Sequence, residues 1–294
     1  MDLTQLAAFV AVADSSSFST AATRLHLTQP AVSKRIAQLE ATLEAPLFDR
    51  AGRQVLLTEA GTLLLPRARA LLADAESARH ALRDLRGETG GTLHLVSSHH
   101  IGLHRLPPLL RTFASRYPQV TLALRFMDSE QAVQHVLHGQ AELALTTLGA
   151  ATPPLQATKV WDDPLCFVAA STHPLAQRKQ LGWADLAAHP AVLPEPQTYT
   201  HGIVADAFAR RDLPLQLRMT TNYMETLKML AAVGLAWSVL PRTMLDAQLQ
   251  VLPVPGAALS RTLGHVTHDR RTLSRAALAF VALLQEEPGC AGLR

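Results

Sequence analysis

The stretch FSTAATRLHLTQPAVSKRIAQLE, Phe18 to Glu40, reads as two short helices joined by a tight turn. Phe18, Ala22 and Leu25 recur at the helical period i, i+4, i+7. His26, Leu27 and Thr28 make the corner. Thr28 is placed to cap the second helix by accepting a backbone N–H, and Pro30 falls in the first turn, where its missing donor costs nothing. Val32, Ile36, Leu39 and Leu43 share one face of that helix. Lys34 centres the opposite face, with Pro30, Ala37 and Gln38 beside it and Gln29 and Ser33 flanking it. A cation among small and hydrogen-bonding side chains suits a major groove, where base edges lie between two rows of phosphates.

The segments on either side fit that reading. Leu6, Phe9, Val10 and Ala13 give the Leu3–Ala13 stretch an apolar face to pack under the hairpin, and SSS at 15–17 ends it. DRAGRQVLLT reads as a small β-hairpin with Gly52 at its turn and Val55 and Leu57 alternating. From Leu3 to Gly61 the order SF..AA..L..TQPAVS..I..LE...LF.R..R...LT.AG closely resembles the LysR-type transcriptional regulators. The resemblance implies an all-α winged helix-turn-helix at the N-terminus, with Gln29 to Leu43 as recognition helix. DNA contacts are then expected from Arg24, Thr28, Gln29, Pro30, Ser33, Lys34 and Arg35, and from Arg50 and Arg53 at the wing. Family members commonly carry Arg where Lys34 stands; Lys keeps the charge but is a point charge without a bidentate fork.

Bulk composition limits the alternatives. The 294 residues suffice for two or three domains, and 48% hydrophobic content supplies a core. No apolar run approaches the ~20 residues of a membrane helix, and MDLTQL lacks the pattern of a secretory signal, so a cytoplasmic location is expected. The two cysteines, Cys166 and Cys290, form no CxxC pair and suit a reducing compartment. The net charge of +3 is too small to argue for nucleic acid by itself. Placement carries that argument, with Arg24, Lys34 and Arg35 in the hairpin and Arg50 and Arg53 at the wing.

Thr58 and Glu59 start a long helix, expected to run to about Leu85 with an irregularity at Pro66. Leu64, Ala68, Leu71, Ala75, Ala78, Leu82 and Leu85 recur with a period of 3.5, the spacing of a helix paired with another helix. The family implies a linker helix that forms a homodimer, and a homotetramer through the effector domains. Domains are therefore expected at 1–58, 59–88 and 89–294.

From Thr92 strands and helices alternate. Expected strands are LHLVSS, VTLALRF, ELALTT, DPLCFVAA, Leu215–Thr221 and LAWSVLP; expected helices are Leu103–Tyr117, Ser129–Leu137, Ala205–Arg211, Met224–Val233 and Arg275–Glu286. Two βα series in tandem make two Rossmann-like α/β lobes with a ligand cleft at the strand ends. LPPLLRTFASRYP, GQAELAL and AAVGLAWSVLP resemble the family's periplasmic-binding-protein-like effector domain. That resemblance implies crossings near Trp161 and His265, with lobe 1 at about 89–160 and 266–294 and lobe 2 at about 161–265.

Hydroxyl and amide side chains cluster at the strand ends and helix starts, where free N–H groups attract anions. The family places effector contacts at Ser98, Ser129, Thr147 and Thr200; His99, Tyr199, Asn222 and Tyr223 join them on position alone. No Lys or Arg lies among these, so a small anion or polar metabolite is expected, its charge met by backbone N–H groups. Thirteen histidines include His99-His100 followed by His104, yet none is joined to Cys or carboxylate at a zinc-like spacing, so neither a metal nor another cofactor is expected. An enzyme lacks support, because GxSxG, Walker A and HExxH are all missing. A solute-binding protein would leave residues 1–88 unexplained.

Overall fold

The computed structural model describes residues 1–51, 54–84, 89–178 and 180–286. Two compact units form: Met1–Glu88 with His135–Ala141 and Arg270–Ser274, and Thr89–Gln134 with Glu142–Asp269 and Arg275–Arg294.

The first unit contains α1 (Leu3–Ser15), α2 (Phe18–Arg24), α3 (Gln29–Leu43), β1 (Phe48–Ala51), β2 (Gln54–Leu57) and α4 (Glu59–Asp84). The Asp2 carboxylate accepts the Thr4 and Gln5 N–H groups at 2.8 Å, and the Gln5 side chain returns the bond to the Asp2 N–H. This reciprocal box satisfies donors that a helix start leaves open. Ser17 caps α2 by accepting the Thr20 N–H. Thr28 stands at the start of α3 but makes no side-chain capping bond, contrary to expectation; its backbone carbonyl accepts the Val32 N–H instead. His26 turns the corner in the left-handed region, at φ 53°.

Leu6, Phe9, Val12, Phe18, Val32, Ile36, Leu39, Leu47 and Phe48 are buried together. Phe48 joins them by ring contacts with Phe9 at 5.4 Å and Phe18 at 5.8 Å. Leu43, expected on this face, is the last residue of α3 and is exposed. Glu40 ties α3 to the wing: its carboxylate accepts the Leu47 N–H at 2.7 Å and the Phe48 N–H at 3.4 Å. β1 and β2 pair antiparallel. Gly52 and Arg53 between them, and the side chain of Arg50, lie outside the described residues.

Thr58 caps α4 by accepting the Gly61 N–H at 3.0 Å. Gly61 is required here, since a Cβ would fall 2.2 Å from the Leu47 carbonyl oxygen. The helix continues through Pro66 as a single element. Its apolar stripe is divided: Ala68 is buried and Leu64 packs against the same core, whereas Leu71 is uncovered. Leu85 falls outside the described residues.

The second unit begins with β3 (Gly91–Ser97), α5 (His99–His104), α6 (Leu106–Arg116), β4 (Val120–Phe126), α7 (Ser129–Leu137), β5 (Leu143–Thr147) and β6 (Leu155–Ala170). It continues through α8 (Trp183–Ala187), β7 (Ala191–Leu193), α9 (Tyr199–Ala209), β8 (Leu217–Thr220), α10 (Met224–Ala232), β9 (Ser238–Pro241), β10 (Leu249–Val251), β11 (Leu259–His268) and α11 (Arg275–Glu286). The expected Leu103–Tyr117 helix is two helices, broken at Arg105, and α9 starts six residues before the expected Ala205. The expected DPLCFVAA strand is the second half of a 16-residue strand.

β3 pairs parallel with β4 and β5, as βα crossovers require. β6 and β11 run antiparallel along each other from Leu155–His268 to Leu165–Leu259 and belong to both lobes. Their register shifts between Leu263 and Gly264, where a Cβ on Gly264 would meet the Thr158 carbonyl oxygen at 2.1 Å. β9 and β10 extend β6 in the second lobe, and β7 pairs parallel with β8. The second unit is thus two α/β lobes sharing a mixed sheet. Phe113 and Phe280 close one core at 5.1 Å, and Phe167, Phe208 and Trp237 fill the other. Among the described residues no helix is long and apolar enough to cross a membrane.

Candidate functional site

A cleft between the two lobes brings most of the expected residues together. Ser98, His99, Ser129, Thr147, Tyr199, Thr200 and Asn222 all line it, joined by Arg261. Ser98 ends β3 and precedes α5, with its backbone held by the Leu145 carbonyl at 2.9 Å; its hydroxyl makes no capping bond. Ser129 starts α7 and accepts the Thr147 N–H at 3.2 Å, locking the ends of two elements. Tyr223 does not line the cleft. It is exposed, with its ring 4.9 Å from that of His99, so the expected aromatic wall consists of Tyr199 alone.

Two expectations about charge are corrected. First, the cleft holds an arginine. Arg261 on β11 is buried; its Nε donates to Asp163 Oδ2 at 2.7 Å and one terminal nitrogen donates to the Thr200 hydroxyl at 3.2 Å. The other terminal nitrogen has no partner. Burial works against its charge, and the buried Asp163 carboxylate offsets that penalty. Second, the start of α9 is not free. Glu130, in the first turn of α7, accepts the Tyr199 N–H at 2.8 Å, and Thr198 caps the His201 N–H. The anion there is favoured by the helix dipole, but it belongs to the protein.

His100 is buried beside Arg261, and neither ring nitrogen has a hydrogen-bond partner. Burial, reinforced by the charges of Arg261, His104 and Arg105, holds its pKa down at about 2. It is therefore a neutral imidazole in the physiological range. His201 is also buried, and its Nδ1 lies 2.9 Å from the Pro194 carbonyl oxygen.

In the first unit Arg24, Thr28, Gln29, Pro30 and Lys34 are exposed on one surface around α3, with Ser33 and Arg35 half-buried. The Gln29 amide approaches the Ser33 hydroxyl at 3.4 Å, one turn along.

A winged helix-turn-helix carried on the same chain as a two-lobed cleft defines a DNA-binding regulator with a small-molecule domain. Residues 3–62 match the family description "Bacterial regulatory helix-turn-helix protein, lysR family", and residues 86–289 match "LysR substrate binding domain". The chain is 34% identical over 292 residues to the HTH-type transcriptional regulator CbbR of Rhodospirillum rubrum, covering 96% of this chain and 95% of that one. It is 63% identical over 108 residues to an uncharacterized HTH-type transcriptional regulator of the ibpB-leuC intergenic region of Azotobacter vinelandii, covering 37% and 75%. A full-length OxyR variant of Pseudomonas aeruginosa shares the fold at a TM-score of 0.73 and 21% identity, covering 97% and 94%. The chain belongs to the LysR family of transcriptional regulators. It is a DNA-binding regulator with an effector domain, in a family of regulators rather than enzymes.

Proposed function

We propose that the effector is a small monoanion, a carboxylate above all, held between the lobes by Arg261 with Ser98, Ser129, Thr147 and Thr200. The observation that carries this reading is a buried guanidinium in the cleft lining with one terminal nitrogen left without a partner. A buried cation with an open donor gains most from an anion that completes its hydrogen bonds. Asp163 already balances the single charge of Arg261, so the open donor can orient one carboxylate but cannot neutralise a polyanion. His99, Tyr199 and Asn222 complete the wall.

On the DNA side, α3 serves as the recognition helix. Lys34, Gln29, Ser33, Pro30 and Thr28 approach the major groove, with Arg24, Arg35, Arg50 and Arg53 at the phosphates. The proposed arrangement is residues 1–58 for DNA, 59–88 for dimerisation and 89–294 for the effector, in a cytoplasmic homotetramer. Effector binding shifts the lobes only through its differential affinity for the closed form.

Calorimetry with small carboxylates and their uncharged amides tests the pocket. The carboxylate should bind at least ~10-fold more tightly than its amide, and Ser98→Ala should cost about 1 kcal/mol, one hydrogen bond. Equal affinity for acid and amide, or for wild type and Ser98→Ala, would place the effector elsewhere.

A further inference from the structure

We propose that His100, His104 and Glu225 hold a divalent transition-metal ion of the zinc class, clipping the two lobes together beside the effector cleft. The three residues offer ligand atoms that all lie within 4.8 Å of one another. His100 and His104 stand at i and i+4 on the one short helix α5, so their rings share a face, with centroids 4.8 Å apart. Glu225 comes from the first turn of α10 in the other lobe, and its Oε1 lies 3.1 Å from His104 Nε2. Two imidazoles and one carboxylate are the donor set of an open zinc site, with room for a water or another ligand in the fourth position.

The independent sign of a ligand is His100. Its ring is 4% exposed, and both of its nitrogens lack a hydrogen-bond partner. A buried imidazole ordinarily finds at least one partner, and a metal ion would supply it. Arg105 and Arg261 both pair with Asp163, whose Oδ2 also lies 3.7 Å from His100 Nε2. A tetrahedral ion asks for ligand atoms roughly 3.3 Å apart, from metal–ligand bonds of about 2.0–2.1 Å. His104 and Glu225 already meet that spacing; His100 must swing toward them.

The test uses untagged full-length protein stripped with a chelator and titrated with Co²⁺ alone, followed by its visible d–d absorption. A single equivalent should bind, and Zn²⁺ should displace it. His104→Ala and Glu225→Gln, both at solvent-accessible positions, should each weaken binding by ~10-fold or more while the circular dichroism stays unchanged. The clip is overturned if no band appears, if affinity is unchanged in either variant, or if more than one equivalent binds alike in wild type and variants. This readout does not involve the effector, so it stands or falls apart from the carboxylate reading.

Discussion

The side-chain amide of Asn222 in the second lobe donates to the Asp128 carboxylate of the first at 2.8 Å, while its oxygen accepts the Glu195 N–H at 3.0 Å. With the Glu130 link to the Tyr199 N–H, this gives two polar straps across the cleft. The Asn222 bond involves an ionised acceptor, so it is worth more than a neutral pair. A double-mutant cycle of Asp128→Ala and Asn222→Ala, read by urea unfolding, should show a coupling of about 1 kcal/mol. Additivity within ~0.3 kcal/mol would show that the strap contributes nothing to holding the lobes.

Lys34 is exposed on the face of α3 opposite buried Val32, Ile36 and Leu39. Lys34→Ala should leave the unfolding midpoint unchanged and weaken operator binding. If Lys34 meets phosphate, the salt slope falls by ~1 and all sequences weaken alike; if it meets a base, about 1–3 kcal/mol is lost at one base pair. Unaltered footprints across a titration would remove α3 from the groove.

How much of this was legible depended on sequence distance. The helix-turn-helix is built from neighbours, and its core pattern from Phe9 to Leu39 is visible as periodicity. The cleft hydroxyls sit at strand ends, which a βα pattern locates. Arg261 and Asp163 were invisible because they pair across 98 residues on β11 and β6. Of the two strands only the second half of β6 was legible, as DPLCFVAA; its first half is the polar LQATKVWD, and β11 reads LSRTLGHVTH without clean alternation. Glu225 reaches His104 across 121 residues, so no spacing rule links them. Thr28 and Leu43 failed for a local reason, since ends of helices obey their caps and neighbours more than their period.

His265 lies on β11 opposite Leu145, buried, with neither ring nitrogen hydrogen-bonded. Burial pushes its pKa below the ordinary 6.5. The unfolded chain therefore binds a proton that the folded chain refuses. Stability from this group is complete above about pH 6.5 and is lost as pH falls below it, at up to ~1.4 kcal/mol per pH unit until the folded value is reached. His265→Leu should flatten the dependence of the urea midpoint between about pH 7 and about pH 5. An equally steep acid slope in the variant would assign the proton uptake to other histidines.

Leu71 is 44% exposed on α4 in the single chain, although Leu64 and Ala68 of the same stripe are packed on the DNA-binding core. An apolar stripe with period 3.5 that stays partly uncovered fits a helix awaiting a second copy. Leu71→Glu would bury a charge at that seam, and an unpaired buried charge is among the costliest single changes. The monomer core should be untouched, because the side chain already faces solvent there. Light scattering should therefore show a smaller assembly with unchanged circular dichroism. Operator affinity should drop sharply, since two half-sites are read together only when two recognition helices are held at a fixed spacing. A variant with wild-type mass and wild-type operator affinity would mean that α4 is not the dimer seam.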